Sequence, residues 1–200
     1  MNSSKKIFAV GITGASGAIY GVRFVQSLLK AGHQVHLLMT EAAWQVFHYE
    51  LHVNTEDRHQ CLVDVFGEVD NLFYHTQQDF SAPIASGSAK NEGMIIIPCS
   101  MGTLAKISQG ISGNLLERTA DVMLKERRRL IIVPRETPLH SIHLENMKRL
   151  SDLGGQIVPA MPGFYHDPNS MDDLINFVVG KVLDQVGVDH DLFTRWGETS

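Results

Sequence analysis

KIFAVGI at residues 6–12, TGASG at 13–17 and AIYGVRFVQSLLKA at 18–31 follow one another without a gap, and their reading decides the fold. The first stretch is apolar enough for a buried strand, and the second holds glycines suited to a tight turn. The third places Ile19, Val22, Val25, Leu28 and Leu29 at helical spacing before Gly32 ends it. Strand, glycine turn and helix in direct succession form the first half of a parallel crossover unit.

The alternation continues down the chain. QVHLLMT at 34–40 reads as a second strand and residues 41–50 as a second helix. Residues 51–92 are the least regular: a short helix near Leu62–Phe66, a strand at Asn71–His75 and the loop SAPIASGS at 81–88 are expected there. GMIIIP at 93–98 and RLIIVP at 129–134 are continuously apolar, as central parallel strands covered on both faces must be. Between them, a helix over 114–128 carries Leu115, Leu116, Ala120, Met123 and Leu124 on one face, with Asp121 and Lys125 at i,i+4 on the other. A helix at 138–153, a strand at 155–160 and a helix at 170–187 complete the pattern. The expected class is α/β, a three-layer, doubly wound, mainly parallel sheet of the Rossmann or flavodoxin-like flavoprotein kind. A single domain is expected over 1–200, with its core at about 6–187 and a polar C-terminal tail at 188–200.

Composition narrows the function. With 44% hydrophobic and 20% charged residues the chain is an ordinary globular protein, and 17 Lys plus Arg against 22 Asp plus Glu gives a net charge of −5. That charge offers no general attraction to nucleic acid or anionic lipid. No run approaches the roughly 18 apolar residues of a membrane span, and the opening MNSSKK passes straight into the first strand, too short for a signal peptide. Two cysteines, Cys61 and Cys99, make no disulfide framework, so a cytoplasmic location is expected.

In doubly wound sheets ligands sit outside the carboxyl ends of the strands. Two strand-end turns there are small and rich in hydroxyls: GITGASG at 11–17, where Ser16 can bind an anion held at the next helix N-terminus, and PCSMGT at 98–103. Facing each other across a crevice, they point to a nucleotide or a flavin. A nicotinamide cofactor usually wants an acid at the end of the second strand, where Thr40 stands with Glu41 just past it. The Tyr-x-x-x-Lys pair of short-chain dehydrogenases is missing, because Tyr20, Tyr49, Tyr74 and Tyr165 are followed four residues later by Phe24, Val53, Gln78 and Asn169. Hydroxyls at Thr40, Ser100 and Thr103 suit a phosphate or ribityl chain, which favours FMN. No metal is expected: Asp172-Asp173 is followed by Leu-Ile-Asn, and the pairs His48/His52 and His140/His143 lack the acid of HExxH. Cys99 reads as a small buried residue beside the flavin turn rather than as a thiolate nucleophile.

TGASG at 13–17, ASGS at 85–88, PCSMGT at 98–103, LKERRRLIIVPRETP at 124–138, SIHLENM at 141–147 and PGFYHDP at 162–168, in this order, resemble the UbiX-type flavin prenyltransferases, formerly described as aromatic-acid decarboxylases. The likeness runs from about residue 6 to Trp196. It implies that reduced FMN is alkylated at N5 and C6 by dimethylallyl phosphate, without a metal, closing a fourth ring. It also implies that the prenylated FMN passes to a separate UbiD-type decarboxylase, and that the chain assembles as a large homo-oligomer, typically a dodecamer. By the same resemblance, Gly14, Ala15, Ser16, Thr40, Ser100, Met101, Gly102, Thr103 and Arg135 hold FMN. Arg118, Lys125, Tyr165 and Lys181 form the donor-phosphate site, some supplied by an adjacent subunit, and Phe80 and Trp196 provide aromatic walls. Ser16, Glu50, Glu136, Lys125 and Tyr165 are the catalytic set: Glu50 moves a proton, Glu136 lies near the phosphate, and Ser16 touches both phosphate-bearing ligands.

Simpler readings stand beside these. Arg118 and Asp121 can pair along a helix, Arg135 can pair with Glu136 at the surface, and Glu50 can be a solvated helix-end carboxylate. The chain also departs from the family pattern at Gly113, Phe80 and Lys181, where Asn, Trp and Arg are common; lysine keeps the charge but loses the bidentate fork. Two other functions fit a flavin site of this kind: an FMN-dependent cysteine decarboxylase of the related homo-oligomeric family, and a non-catalytic flavin-binding module.

Overall fold

A computed structural model describes residues 5–195 and Gly197. Strands β1 (Ile7–Ile12), β2 (Gln34–Met39), β3 (Leu72–His75), β4 (Gly93–Cys99), β5 (Arg129–Pro134) and β6 (Gln156–Ile157) form one sheet in the order β3-β2-β1-β4-β5-β6. Every neighbouring pair is parallel. The chain winds outward from β1 to one edge and then from β4 to the other, so the topological switch point lies between β1 and β4, where such sheets bind ligands.

Helices α1 (Ala18–Lys30), α2 (Glu41–Leu51), α3 (Arg58–Phe66), α4 (Met101–Ser108), α5 (Leu115–Lys125), α6 (Ser141–Asp152) and α7 (Met171–Val186) supply the outer layers. The strands sort their side chains between these layers with period two. Phe8, Val10, Ile12, Ile95, Ile97, Ile131 and Val133 pack with α1, α2, α3 and α7, whereas Ala9, Met94, Ile96, Leu130 and Ile132 pack with α4, α5 and α6. The three-layer, doubly wound α/β expectation is met.

Three local features depart from the sequence reading. α4 is a separate helix directly after the PCSMGT turn, with Met101, Leu104 and Ile107 buried. β6 contributes only two residues to the ladder, because Pro134 of the neighbouring strand has no N–H to donate back to it; Val158 and Ala160 still donate to Ile132 and Pro134. The segment after α7 is not a free tail. Val188 is buried, Leu192 and Phe193 pack on the core, and Arg195 donates to Asp184 at 2.7 and 3.1 Å.

At the β2–β3 edge, His36 stacks between Phe73 and His75, and its Nδ1 lies 2.8 Å from Nε2 of His75. Burial, and then the neighbouring His75, push the His36 pKa down to about 4 from an ordinary 6.5. The unfolded chain therefore binds a proton that the folded chain does not between these two values, and stability falls as pH drops through that window. Urea-unfolding midpoints are expected to decline from pH 6.5 to pH 4, and His36→Gln is expected to flatten the decline; an unchanged slope in the variant would contradict this.

Candidate functional site

The two strand-end turns are joined by one buried hydroxyl. Thr13, 1% exposed, donates from Oγ1 to the carbonyl of Pro98 at 2.9 Å and accepts from the amide of Ser100 at 2.8 Å. Its own amide donates to the same Pro98 carbonyl at 3.2 Å. Ser100, fixed in this way, caps α4: its Oγ accepts from the Thr103 amide at 3.4 Å and donates to Thr103 Oγ1 at 3.1 Å. Thr40 caps α2 by accepting from Ala43 at 3.1 Å, and Asn114 caps α5 by accepting from Glu117 at 2.9 Å. Each of these residues satisfies an otherwise orphaned first-turn amide.

The N-termini of α2, α4 and α5 thus open on one crevice of about 450 Å³, whose walls include Gly14, Thr40, Gln77, Ser100, Gly102 and Thr103. Helix N-termini carry partial positive charge and free amides, which is what a phosphate needs. Hydroxyls suit a ribityl chain, and the small residues let a flat ring approach the backbone. A Cβ on Gly14 would stand 2.4 Å from that of Ala42, so the first turn can close onto α2 only with glycine there. The residues present therefore fit FMN. A larger hollow of about 930 Å³ lies along the edge strand β3, away from the switch point.

Not every expected residue enters this crevice in the same way. Ala15 and Met101 are buried, and Met101 belongs to the apolar cluster under α4 and α5. The turn holding Ser16 leads into α1, whose first amides already have an anion of the protein's own: the Glu50 carboxylate accepts from Gly17 at 2.9 Å and Ala18 at 3.0 Å. Glu50 is thus a cap on α1 contributed by the end of α2, not simply a solvated carboxylate. Arg135 follows β5, and its amide donates to Cys99 at 3.3 Å. Burial pushes the Tyr20 phenol up, with the nearby Arg135 charge working against it. Among the described residues Glu136 makes no ion pair with Arg135; its carboxylate accepts from the Thr137 amide at 3.0 Å.

The four residues expected at the donor-phosphate site fall into two groups. Arg118 donates from Nε to Ala85 at 3.1 Å and also pairs with Asp121 at 3.0 Å, so the helical pairing is realised as well. Lys125 pairs with Glu126 rather than with Asp121, and this contact holds the Glu126 carboxyl below its ordinary range. A Cβ on Gly87 would lie 2.9 Å from Lys125 Nζ, so the ASGS loop runs directly beneath these cations. Tyr165 instead packs edge-on against Phe177 of α7, in the opposite layer, and Lys181 also belongs to α7. Within one chain the sheet separates the two groups. Phe80 is 51% exposed, just ahead of the 3-10 turn Pro83–Ala85, and Trp196 lies outside the described residues.

Sequence reasoning missed Thr13, Lys106 and Glu117. Asn114-Leu-Leu-Glu117 is a helix-start spacing that could have singled out Glu117, but no pattern links it to Lys106. Both cysteines are buried, and burial pushes each thiol up, most strongly at Cys99.

A sheet with this crevice defines a flavin-binding protein of the doubly wound class, and a family model described as Flavoprotein matches residues 1–183. A relative from Halalkalibacterium halodurans named flavin prenyltransferase UbiX is 64% identical over 199 residues, covering 99% of this chain and 97% of its own. The crystal structure of AnUbiX (PadA1) in complex with FMN and dimethylallyl pyrophosphate superposes with a TM-score of 0.88 at 39% identity, covering 98% of this chain and all of that one. A dodecameric FMN-dependent UbiX-like decarboxylase from Escherichia coli O157:H7 gives 0.85 at 44%, covering 96% and 100%. The chain belongs to the UbiX flavin prenyltransferase family. The FMN-dependent cysteine decarboxylase TvaF, at 16% identity and a TM-score of 0.57, shares the fold alone.

Two outcomes follow from this geometry. Thr13→Val leaves the Ser100 amide without its acceptor and should cost about 2 kcal/mol in urea unfolding, with Thr13→Ser recovering most of it. A colorimetric thiol reagent should react with neither cysteine in the native protein and with both in denaturant; a fast-reacting native thiol would contradict the burial of Cys99.

Proposed function

We propose that this protein is a flavin prenyltransferase that transfers a dimethylallyl group from dimethylallyl phosphate to N5 and C6 of reduced FMN. What carries this reading is the crevice at the switch point, with three helix N-termini and the hydroxyls of Thr40, Ser100 and Thr103, in a chain of this family. FMN, once bound, supplies the nucleophilic ring atoms.

The chain's own residues supply the rest. Gly14, Ala15, Ser16 and Gly102 let the backbone approach the flavin, the three hydroxyls and the Met101 amide bind it, and Arg135 faces it from the end of β5. Breaking an allylic C–O bond requires stabilising a leaving phosphate and a positive charge developing on carbon. Arg118 and Lys125 of one copy, with Tyr165 and Lys181 of an adjacent copy, hold the phosphate. Because the sheet separates these groups within a chain, the reading requires a homo-oligomer, and we take the assembly to be a dodecamer. Phe80 and Trp196 offer π-faces to the carbon charge. Glu50, beside the Ser16 turn, moves the proton released on ring closure, and Glu136 lies near the phosphate. Residues 1–200 act as one flavoprotein domain in the cytoplasm, and the product is passed to a UbiD-type decarboxylase.

Anaerobic incubation with reduced FMN and dimethylallyl phosphate, followed by mass spectrometry of the released flavin, should yield FMN heavier by one five-carbon prenyl unit. Recovery of unmodified FMN would reject the reading. Glu50→Gln keeps an acceptor for the α1 amides, so it should slow prenylation about 100-fold while changing stability by less than about 1 kcal/mol.

A further inference from the structure

Lys106 is the one cation among the described residues lining the FMN crevice, and no motif singles it out. Two carboxylates share that lining. Glu41 is engaged by Arg58 through hydrogen bonds of 3.0 and 2.6 Å. Glu117 is different: its side chain is 4% exposed, its Oε2 accepts from the Gly113 amide at 2.9 Å, and its Oε1 lies 3.2 Å from Lys106 Nζ. A buried carboxylate is costly unless it is both paired and hydrogen-bonded, so Glu117 ties Lys106 to one place. The Lys106 side chain itself is 56% exposed.

This arrangement has two consequences. An ammonium carries three N–H donors, and one contact to Glu117 leaves two for a ligand. A long, mobile lysine side chain normally loses much freedom on binding an anion, and the tether removes much of that cost beforehand. Holding the Gly113 amide, just ahead of the N-cap Asn114, accounts for one Glu117 oxygen, but not for the second, which holds a cation that faces the crevice. The Glu117 charge also sits in the first turn of α5, where the helix dipole offsets it, so Lys106 keeps its attraction for an incoming anion.

We propose that Lys106, tethered by buried Glu117, recognises a phosphate monoester group in this crevice, so that the site selects a phosphorylated ligand over its dephosphorylated counterpart. The inference rests on the FMN-binding reading above, and the group belongs either to FMN or to the prenyl donor. Both are tested with Lys106→Gln in the full-length protein. Since that change alone strands the Glu117 carboxylate, the double variant Lys106→Gln/Glu117→Gln, which leaves two neutral amides, accompanies it.

Fluorescence titration with FMN and with riboflavin, which lacks the phosphate, forms one arm; the KM for dimethylallyl phosphate at saturating reduced FMN forms the other. If the group is the flavin's, both variants should bind FMN about tenfold more weakly with riboflavin affinity unchanged, and Lys106→Arg should restore much of the preference. If it is the donor's, the KM should rise about tenfold while the FMN-to-riboflavin ratio holds. An unchanged ratio together with an unchanged KM in the double variant overturns the inference alone. Failure of the wild-type protein to bind FMN overturns the functional reading and this inference with it.

Discussion

The hydroxyl of Thr13 sets the geometry on which the site depends. By donating to Pro98 and accepting from Ser100 it fixes two strand-end turns from either side of the switch point at hydrogen-bond distance, inside a region closed to water. Everything downstream inherits that placement. Ser100 becomes the cap of α4, Thr103 is held by Ser100, and the helix N-terminus is aimed into the crevice shared with α2 and α5. A valine of similar shape would fill the same space but hold nothing, because a buried amide without an acceptor pays its desolvation in full.

Charge is distributed around this frame by the same rules. Three helix N-termini face the crevice, while the fourth nearby, that of α1, is closed by Glu50 across a separation of 33 residues. The amides left for a ligand are therefore those of α2, α4 and α5, and the carboxylate expected to do chemistry is held in position by backbone donors. The cations beside the ASGS loop and Lys181 of α7 lie on opposite faces of the sheet, so a donor site of the proposed composition would need residues from two copies of the chain.

Much of this was legible in the residues. KIFAVGI and the helix after it could be read because a glycine turn separates two clean periodicities, and GMIIIP and RLIIVP because strands buried on both faces must be apolar throughout. The short α4 was not separated from its turn: eight residues beginning immediately after a strand carry too little periodicity to stand out. β6 is shorter than the expected strand because Pro134 of the neighbouring strand has no N–H to continue the ladder, a cross-strand effect that the run at 155–160 does not record. The hydroxyls of Thr40, Ser100 and Thr103, which line one crevice, could be singled out by residue type and position after a strand, whereas Thr13 escapes notice inside the very motif that names its neighbours. Its function lies in a contact spanning 85 residues, and the Lys106–Glu117 pair likewise joins two helices through space. Such contacts are made by tertiary packing, and no local pattern records them.

The most direct test is a crystal structure of the protein grown with FMN. The account predicts the flavin at the β1–β4 switch point, with its phosphate or ribityl oxygens within hydrogen-bond distance of Thr40, Ser100 and Thr103 and with the Thr13 bridge intact. A flavin bound elsewhere, such as in the hollow along β3, or one that reaches the switch point only by separating the two turns, would contradict it.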